Sequence, residues 1–225
     1  EIKDLITYLN SLGYNIKSKN RKITIQGTQK VKITQHRVMF DRIELGTYLI
    51  ASAISAKKVS FTNVDPKIIS TEIKILKKMG VKIMIYKNKI TILKSDNIKK
   101  ISLKTEPYPG FPTDLQAQIM VLMTKAKGVS KIKENIFENR FMHVPELKRM
   151  GAKIKINNNC AIIKGPTNLS GAEVMATDLR ASVSLVLAGL IAENKTLINR
   201  IYHLDRGYEN LEKKLKKCKA EIKRI

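Results

Sequence analysis

Residues 107–118 contain the carboxylate best placed to do chemistry. Residues 107–112 read Pro-Tyr-Pro-Gly-Phe-Pro, so three prolines and a glycine make the backbone a stiff, irregular loop. Thr113 and Asp114 follow, and an apolar run starts at Ile119. An aspartate here can cap the backbone N–H groups of a helix, yet a cap needs no rigid loop in front of it. The pattern therefore indicates a loop that holds Asp114 in a functional site, with a plain helix cap as the alternative.

The other chemically capable side chains give weaker signals. Cys160 lies in an alternating strand and Cys218 at a helix end, and two cysteines make neither a disulfide framework nor a metal site. His143 and His203 are tempting acid–base groups, but packing roles are favoured for both. We therefore expect no metal and no cofactor, and a cytoplasmic location fits the cysteine content.

The chain is strongly basic, with a net charge of +24 from 43 Lys and Arg against 19 Asp and Glu. Most of the basic residues are lysines scattered along strand patterns, as in residues 82–90, and only 5% of residues are aromatic. A binder of single-stranded nucleic acid needs aromatic stacking platforms. The composition therefore favours a codon bias over specific nucleic-acid binding, and leaves attraction of anionic ligands open. The apolar runs are too short to predict a membrane span.

A helix–turn–strand pattern occurs four times, which predicts a repeat architecture. A glycine closes the first three helices and supplies the left-handed conformation that ends a helix. The four segments are residues 2–13, 69–80, 144–151 and 208–218. The strands predicted after them are residues 14–17, 81–85, 152–156 and 220–225, and the second strands are residues 22–26, 89–93 and 160–164.

A second element alternates with the first. Residues 41–54, 114–124 and 178–191 each begin with an aspartate and continue as a nearly all-apolar helix, which must be buried. The strands predicted after these helices are residues 58–63, 130–134 and 196–199. The unit is therefore strand, buried helix, strand, amphipathic helix and two strands, with three buried helices around a common axis and the sheets outside.

The ends of the chain break this rhythm. We expect residues 1–34 to be the tail of a preceding domain, and residues 35–225 to be a three-unit domain that lacks its final strand. The missing strand would leave an open sheet edge, which something outside this sequence should fill. The chain opens Glu-Ile-Lys-Asp without a Met, which also predicts a piece of a longer polypeptide.

Four long motifs resemble the enolpyruvyl transferases, and within them the UDP-N-acetylglucosamine 1-carboxyvinyltransferases. They are residues 109–118, Phe-Glu-Asn-Arg-Phe-Met-His-Val-Pro-Glu-Leu at 137–147, Ala-Thr-Asp-Leu-Arg-Ala-Ser at 176–182 and Tyr-His-Leu-Asp-Arg-Gly-Tyr at 202–208. The resemblance covers the whole chain in order. It implies an α+β fold, an α/β prism or inside-out α/β barrel, in which two three-repeat domains enclose an active-site cleft. The present chain would be the C-terminal half.

The resemblance also implies a reaction. Members of this family transfer enolpyruvyl from phosphoenolpyruvate to the 3′-hydroxyl of UDP-N-acetylglucosamine and release phosphate, as the first committed step of peptidoglycan synthesis. The expected partners are therefore these two substrates and the missing N-terminal half, without membrane or specific nucleic acid. The family's proton-donor cysteine loop and its N-terminal Lys-Asn pair have no match here, so we expect the chain to be inactive alone.

The resemblance assigns site residues one by one. Asp114 matches the aspartate that contacts the sugar 3′-hydroxyl as the proposed base, and a carboxylate at a helix start is expected to stay ionised. Ile136 matches a backbone contact to the nucleotide sugar, and Phe137 follows it. Arg140 and Arg206 match arginines around phosphoenolpyruvate, and guanidinium binds planar anions in a bidentate way. Asp178 and Arg180 match a charged pair near the cleft. Asp114 and Arg206 are the expected catalytic residues.

Simpler roles are open for each of these residues. Arg140 and Arg180 can pair structurally with Asp178 or Glu138, and Arg206 with Asp205. Asp178 can be a plain helix cap, and Asp41, Arg42 and Glu44 can belong to the crossover between domains. Two other functions compete as well: a non-catalytic module that binds a nucleotide sugar or another anion, and a relative of the RNA 3′-phosphate cyclases. No cyclase-type histidine motif is present.

Overall fold

Helices and strands alternate along the chain largely in the order that the repeats predict. The computed structural model describes residues 1–225. The helices are α1 (Ile2–Ser11), α2 (Arg42–Ser55), α3 (Ser70–Lys78), α4 (Gln116–Thr124), α5 (Val144–Arg149), α6 (Leu179–Gly189) and α7 (Leu211–Lys217). The strands are β1 (Asn15–Lys19), β2 (Lys22–Gln26), β3 (Lys58–Thr62), β4 (Lys82–Tyr86), β5 (Lys89–Leu93), β6 (Ser102–Lys104), β7 (Gly128–Lys133), β8 (Lys153–Asn157), β9 (Cys160–Gly165), β10 (Glu173–Met175) and β11 (Leu197–Asn199).

The chain divides into two units, Glu1–Asp41 and Arg42–Ile225. The first unit holds α1 and the antiparallel hairpin β1–β2, with Asn15 opposite Gln26. None of the side chains of α1 is buried. The predicted domain boundary between residues 34 and 35 stays a prediction.

Three sheets form in the second unit. The largest has the strand order β6-β7-β9-β8, in which β6 and β7 are parallel and the other pairs are antiparallel. A three-stranded antiparallel sheet has the order β3-β5-β4, and β10 pairs with β11 in parallel. The strands before and after α4 therefore run parallel to each other, and so do the strands before and after α6.

The core of this unit is made by the three apolar helices. All nine residues of α4 are buried, including Gln116, Gln118 and Thr124, because the apolar residues are spread around the whole helix. Helix α4 packs against both α2 and α6, and its outer side meets β7 and β9. The predicted burial of all three helices is confirmed, since most of α2 and α6 is buried as well.

The turns after the amphipathic helices adopt the predicted left-handed backbone. Gly13, Gly80 and Gly151 have φ angles of +106°, +86° and +94°. After the fourth helix, Lys219 takes this conformation with φ +69°. The turn geometry is thus kept without a glycine.

The strand predicted at residues 220–225 is not present, because no other strand of the chain lies beside these residues to complete the hydrogen-bond ladder. Residues 27–41 contain no strand before α2, so β3 has no parallel partner and forms an edge of its sheet. The complete repeat is therefore seen once, in the unit that contains α4.

Candidate active site

Asp114 lies in a short 3₁₀ turn, Thr113–Leu115, directly before α4. Pro112, before the turn, has an extended backbone with φ −72° and ψ 139°. Leu115, the last residue of the turn, occupies the N-cap position of α4. The side chain of Asp114 makes no capping hydrogen bond to either element. The plain-cap alternative for Asp114 is therefore wrong, and its carboxylate is available for other partners.

Two arginines converge on one oxygen of Asp114. Arg140 Nη2 donates to Oδ1 at 2.9 Å and Arg180 Nε donates to it at 2.5 Å, with Arg180 Nη2 also in contact. No protein group donates to the second carboxylate oxygen, Oδ2, and the Asp114 side chain is 35% exposed. The geometry thus fixes the carboxylate by one oxygen and leaves the other to accept a hydrogen bond from solvent or a ligand.

Arg140 comes from the loop that follows β7. Its guanidinium carbon lies 4.5 Å from the centre of the Phe137 ring, and the Arg140 side chain is largely buried. Burial and the neighbouring Arg180 lower the pKa of Arg140, while Asp114 raises it. A guanidinium held between an aromatic face and a carboxylate has a fixed orientation.

Arg180 and Asp178 lie at the start of α6. Asp178 Oδ1 accepts hydrogen bonds from the backbone N–H of Arg180 at 2.7 Å and of Ala181 at 3.0 Å. The cap alternative for Asp178 is therefore confirmed. The guanidinium groups of Arg140 and Arg180 pair with Asp114, so the alternative in which they pair structurally with Asp178 or Glu138 is wrong. The cap fixes the start of α6, which is where Arg180 reaches toward Asp114.

Two hollows border these side chains. The larger, about 780 Å³, is lined by residues 134–142, which include Ile136, Phe137 and Arg140, and by the turn between β8 and β9. The smaller, about 170 Å³, is lined by Arg140, Asp178, Arg180 and the first residues of α4. Arg140 belongs to both, so the structure brings five predicted site residues around two adjoining spaces and holds Asp114 beside them.

Arg206 is the predicted site residue that makes no contact with this group. It is exposed at the end of the 3₁₀ segment Ile201–Arg206. The next residue, Gly207, lies beside α6, where an added Cβ would come within 2.9 Å of Leu179. The alternative pairing with Asp205 is wrong, because Asp205 binds Arg224 at 2.7 Å.

Neither histidine makes a hydrogen bond to Asp114, Arg140 or Arg180, although His143 lines the smaller hollow. His143 is buried, and its Nε2 lies 3.3 Å from Met120 Sδ. Burial lowers the pKa of His143 to about 4, against a smaller opposing effect of Asp178. His203 stacks at a tilt on Tyr202 with the ring centres 4.3 Å apart, and its Nε2 is buried without a partner.

Sequence reasoning missed Glu134, which follows the last residue of β7. Its side chain is only 2% exposed, and it accepts hydrogen bonds from two threonines and from the loop that carries Arg140. The alternation of β7 contains the signal, because Ser130 and Ile132 are buried and residue 134 has the same parity. A second missed residue is Gln118, whose Nε2 donates to the carbonyl oxygen of Asp114 at 2.9 Å.

Comparison with known proteins places the chain in a family. The family model for EPSP synthase (3-phosphoshikimate 1-carboxyvinyltransferase) matches residues 1–215. The chain belongs to the EPSP synthase family. The family membership and the α+β fold predicted from the motifs are thereby confirmed.

Curated relatives within this family have a common name. The UDP-N-acetylglucosamine 1-carboxyvinyltransferase of Pelagibacter ubique is 62% identical over the whole chain, and that of Rickettsia bellii is 50% identical. The chain covers 54% of each of these proteins. It thus spans about half the length of the curated relatives it matches, which fits the predicted half of a two-domain enzyme.

Solved structures agree on the fold. The enolpyruvyl transferase NikO from Streptomyces tendae superposes with a TM-score of 0.87 at 26% identity, over 99% of this chain and 54% of that one. The EPSP synthase from Acinetobacter baumannii gives 0.72 at 21% identity, over 93% and 52%, which supports the fold alone. None of the helices combines the length and the apolar character needed to span a bilayer.

Proposed function

We propose that this chain supplies one side of an active site that transfers enolpyruvyl from phosphoenolpyruvate to the 3′-hydroxyl of UDP-N-acetylglucosamine, with release of phosphate. The observation that carries the proposal is the state of Asp114. Its carboxylate does not cap α4, is fixed through Oδ1 by two arginines, and has Oδ2 unbonded. The shared name of relatives at 49–62% identity supports the choice of substrates.

The chemistry needs an acceptor and several cations. A proton adds to C3 of phosphoenolpyruvate and the sugar oxygen attacks C2, so that a tetrahedral ketal forms. The ketal then loses phosphate and a C3 proton, which restores the double bond. Asp114 Oδ2 accepts the hydrogen bond of the attacking hydroxyl and then its proton. Arg140 and Arg180 offset the negative charge of phosphate and carboxylate beside it.

The remaining predicted residues have supporting roles in this proposal. Ile136 and Phe137 line the larger hollow, where the backbone of the loop meets the nucleotide sugar. Asp178 orients Arg180 through the helix cap. Arg206 is assigned to phosphoenolpyruvate because a guanidinium binds phosphate and carboxylate in a bidentate way. Since Arg206 is exposed, it must either move toward Asp114 or bind the substrate at the edge of the site.

The proposal requires a second polypeptide segment. No residue matching the family's proton donor is present, and the curated relatives are about twice as long as this chain. We therefore assign the proton donor and the opposite wall to the half of the enzyme that this chain does not match. The reaction would serve peptidoglycan synthesis in the cytoplasm.

Phosphate release tests this function directly. The chain is mixed with both substrates, alone and together with the half of the Pelagibacter ubique relative that it does not match; this combination is called the reconstituted enzyme below. We expect release only from the reconstituted enzyme. Release by the chain alone contradicts the need for a second half, and no release from a folded complex at saturating substrates contradicts the function.

A further inference from the structure

Glu134 is a buried acid whose four hydrogen bonds all come from uncharged donors. Oε1 accepts from Thr105 Oγ1 at 2.7 Å and from the backbone N–H groups of Ile136 and Phe137 at 2.9 and 3.2 Å. Oε2 accepts from Thr113 Oγ1 at 2.9 Å. A buried carboxylate is unfavourable unless such bonds compensate its desolvation, so its geometry is strongly specified.

The four donors belong to three separate segments. Thr105 follows β6, Thr113 begins the turn that contains Asp114, and Ile136 and Phe137 open the loop that leads to Arg140. Thr105 is itself buried and accepts from the backbone N–H of Asn135 at 2.9 Å. Glu134 is therefore the point at which both sides of the Asp114–Arg140 pair are joined.

The main chain of Glu134 is fixed as well. Its N–H donates to the carbonyl oxygen of Asn159 at 2.7 Å, and Asn159 Nδ2 donates back to its carbonyl oxygen at 2.9 Å. The turn between β8 and β9 thus holds the residue from behind. Because the backbone of Glu134 is fixed, its carboxylate also fixes the positions of the segments that donate hydrogen bonds to it.

We propose that Glu134 is a positioning residue of the active site. Its Oε2 holds Thr113, and hence Asp114, while its Oε1 holds the backbone of Ile136 and Phe137, and the two oxygens set the distance between the reacting carboxylate and the sugar-binding loop. This inference rests on the proposed function. Glu134 itself makes no hydrogen bond to Arg140 or Arg180, so it acts through the segments that it holds.

Two variants separate the two halves of this role. Thr113→Val keeps the side-chain shape and removes the hydroxyl that links Glu134 to Asp114. Glu134→Gln keeps the shape but replaces one acceptor oxygen with an NH2 donor and removes the charge. The bonds to the replaced oxygen are lost, and those to the remaining oxygen weaken because they are no longer charge-assisted. In the reconstituted enzyme we expect Thr113→Val to lower kcat by about 10- to 100-fold with KM within about threefold, since a small displacement of a reacting group costs this much.

Glu134→Gln should lower kcat by a similar factor and raise KM for UDP-N-acetylglucosamine as well. The double variant should resemble Glu134→Gln alone, because both substitutions break one linkage and contacting residues are not additive. Hydrogen exchange on the chain itself should show faster exchange of the Ile136 and Phe137 amides in Glu134→Gln.

Matched controls are present in the same chain. Thr91 is a buried strand threonine bonded to Ser60 at 2.9 Å, and Glu72 is a buried acid paired with Arg42. Neither makes a hydrogen bond to Glu134 or to Asp114. Thr91→Val and Glu72→Gln report the cost of losing a buried polar contact alone. If the site variants match these controls in kcat, KM and amide exchange while the wild type turns over, the positioning role is wrong and the function stands. If the wild-type reconstituted enzyme releases no phosphate, both proposals fail.

Discussion

Asp114 and Asp178 stand at equivalent points of two successive repeats, each just before a buried helix, but their carboxylates have different partners. Asp178 has an extended backbone, with φ −157° and ψ 175°, and its Oδ1 accepts two N–H groups of α6. Asp114 lies inside a 3₁₀ turn, and its Oδ1 accepts from two arginines. A cap needs a residue outside the helix, with its side chain folded over the first turn.

The difference lies in what precedes the aspartate. The proline loop ends at Pro112, and the bond from Thr113 to the buried Glu134 starts the turn before Asp114 is reached. Asp114 therefore lies two residues after Pro112, the cap position of the 3₁₀ turn, and one residue before Leu115, the cap position of α4. One repeat uses its aspartate as a helix cap, and the other holds its aspartate through two arginines with Oδ2 unbonded.

The difference between Asp114 and Asp178 should be largest in the effect of substitution on kcat. Asp114→Asn removes the proton acceptor and should lower kcat of the reconstituted enzyme by between about 100- and 10,000-fold, the range for a general base. Phosphate release is the measurement. Asp96→Asn, in an exposed pair with Lys94, is the control and should leave kcat unchanged. Near-normal turnover of Asp114→Asn would remove the distinction drawn between the two aspartates.

Arg140 tests whether the partners of Asp114 also bind substrate. Arg140→Lys keeps the charge but loses the planar donor geometry, so hydrogen bonds worth about 1.5–3 kcal/mol are lost. We expect KM for phosphoenolpyruvate or UDP-N-acetylglucosamine to rise by about 10- to 100-fold. Arg149→Lys, on the exposed face of α5, is the matched control. Equal KM values in the two variants would leave Arg140 with a structural role only.

His143, which is close enough to Asp178 for its pKa to be affected, should make the free energy of unfolding depend on pH. The pKa of buried His143 is lowered to about 4 in the folded state, from an ordinary value near 6.5. Between pH 4 and 6.5 the His143 side chain is protonated in the unfolded chain but neutral in the folded protein. The free energy of unfolding therefore rises as pH rises and decreases as pH falls. The slope should approach about 1.4 kcal/mol per pH unit.

Urea unfolding at several pH values from 4 to 7 measures this slope. His143→Leu should flatten it, and Asp178→Asn should extend it to lower pH, because the Asp178 charge favours the protonated histidine. A wild-type slope equal to that of His143→Leu would contradict the buried neutral state.

The smallest effect belongs to the cap itself. Asp178→Ala removes two hydrogen bonds at the start of α6 and should lower the free energy of unfolding by about 1 kcal/mol. The Tm should fall by about 2–4 °C in a chain of this size. Asp178→Asn should restore most of this loss, because asparagine caps equally well. An unchanged Tm for the alanine variant would argue against the cap.

The sequence predicted much of this arrangement, because its signals were local. The apolar helices and the glycine turns follow from periodicity and backbone preference, as at Gly80 and Gly151. The rigid loop before Asp114 was recognisable from its prolines. Whether Asp114 caps α4 depended on Thr113 and Glu134, which are 21 residues apart in sequence and close only in the fold.

Other features needed tertiary partners that a sequence pattern does not contain. Residues 220–225 alternate like a strand but have none beside them. In the sequence, Glu134 looks like a solvated charge at the end of a strand. Its buried role is visible only when its inward-facing position in β7 is combined with its bonds to two distant threonines. Arg140 and Arg180 were recognised by motif, but their shared bond to Asp114 depends on the meeting of α6 with the loop after β7.

The most direct measurement is the position of the nucleotide sugar in a crystal structure of the reconstituted enzyme. We predict that Asp114 Oδ2 lies within about 2.6–3.2 Å of the sugar 3′-oxygen, the range of a hydrogen bond to a base, and that Oδ1 is still bonded to Arg140 and Arg180. A sugar bound elsewhere, with Asp114 contacting only the two arginines, would contradict it.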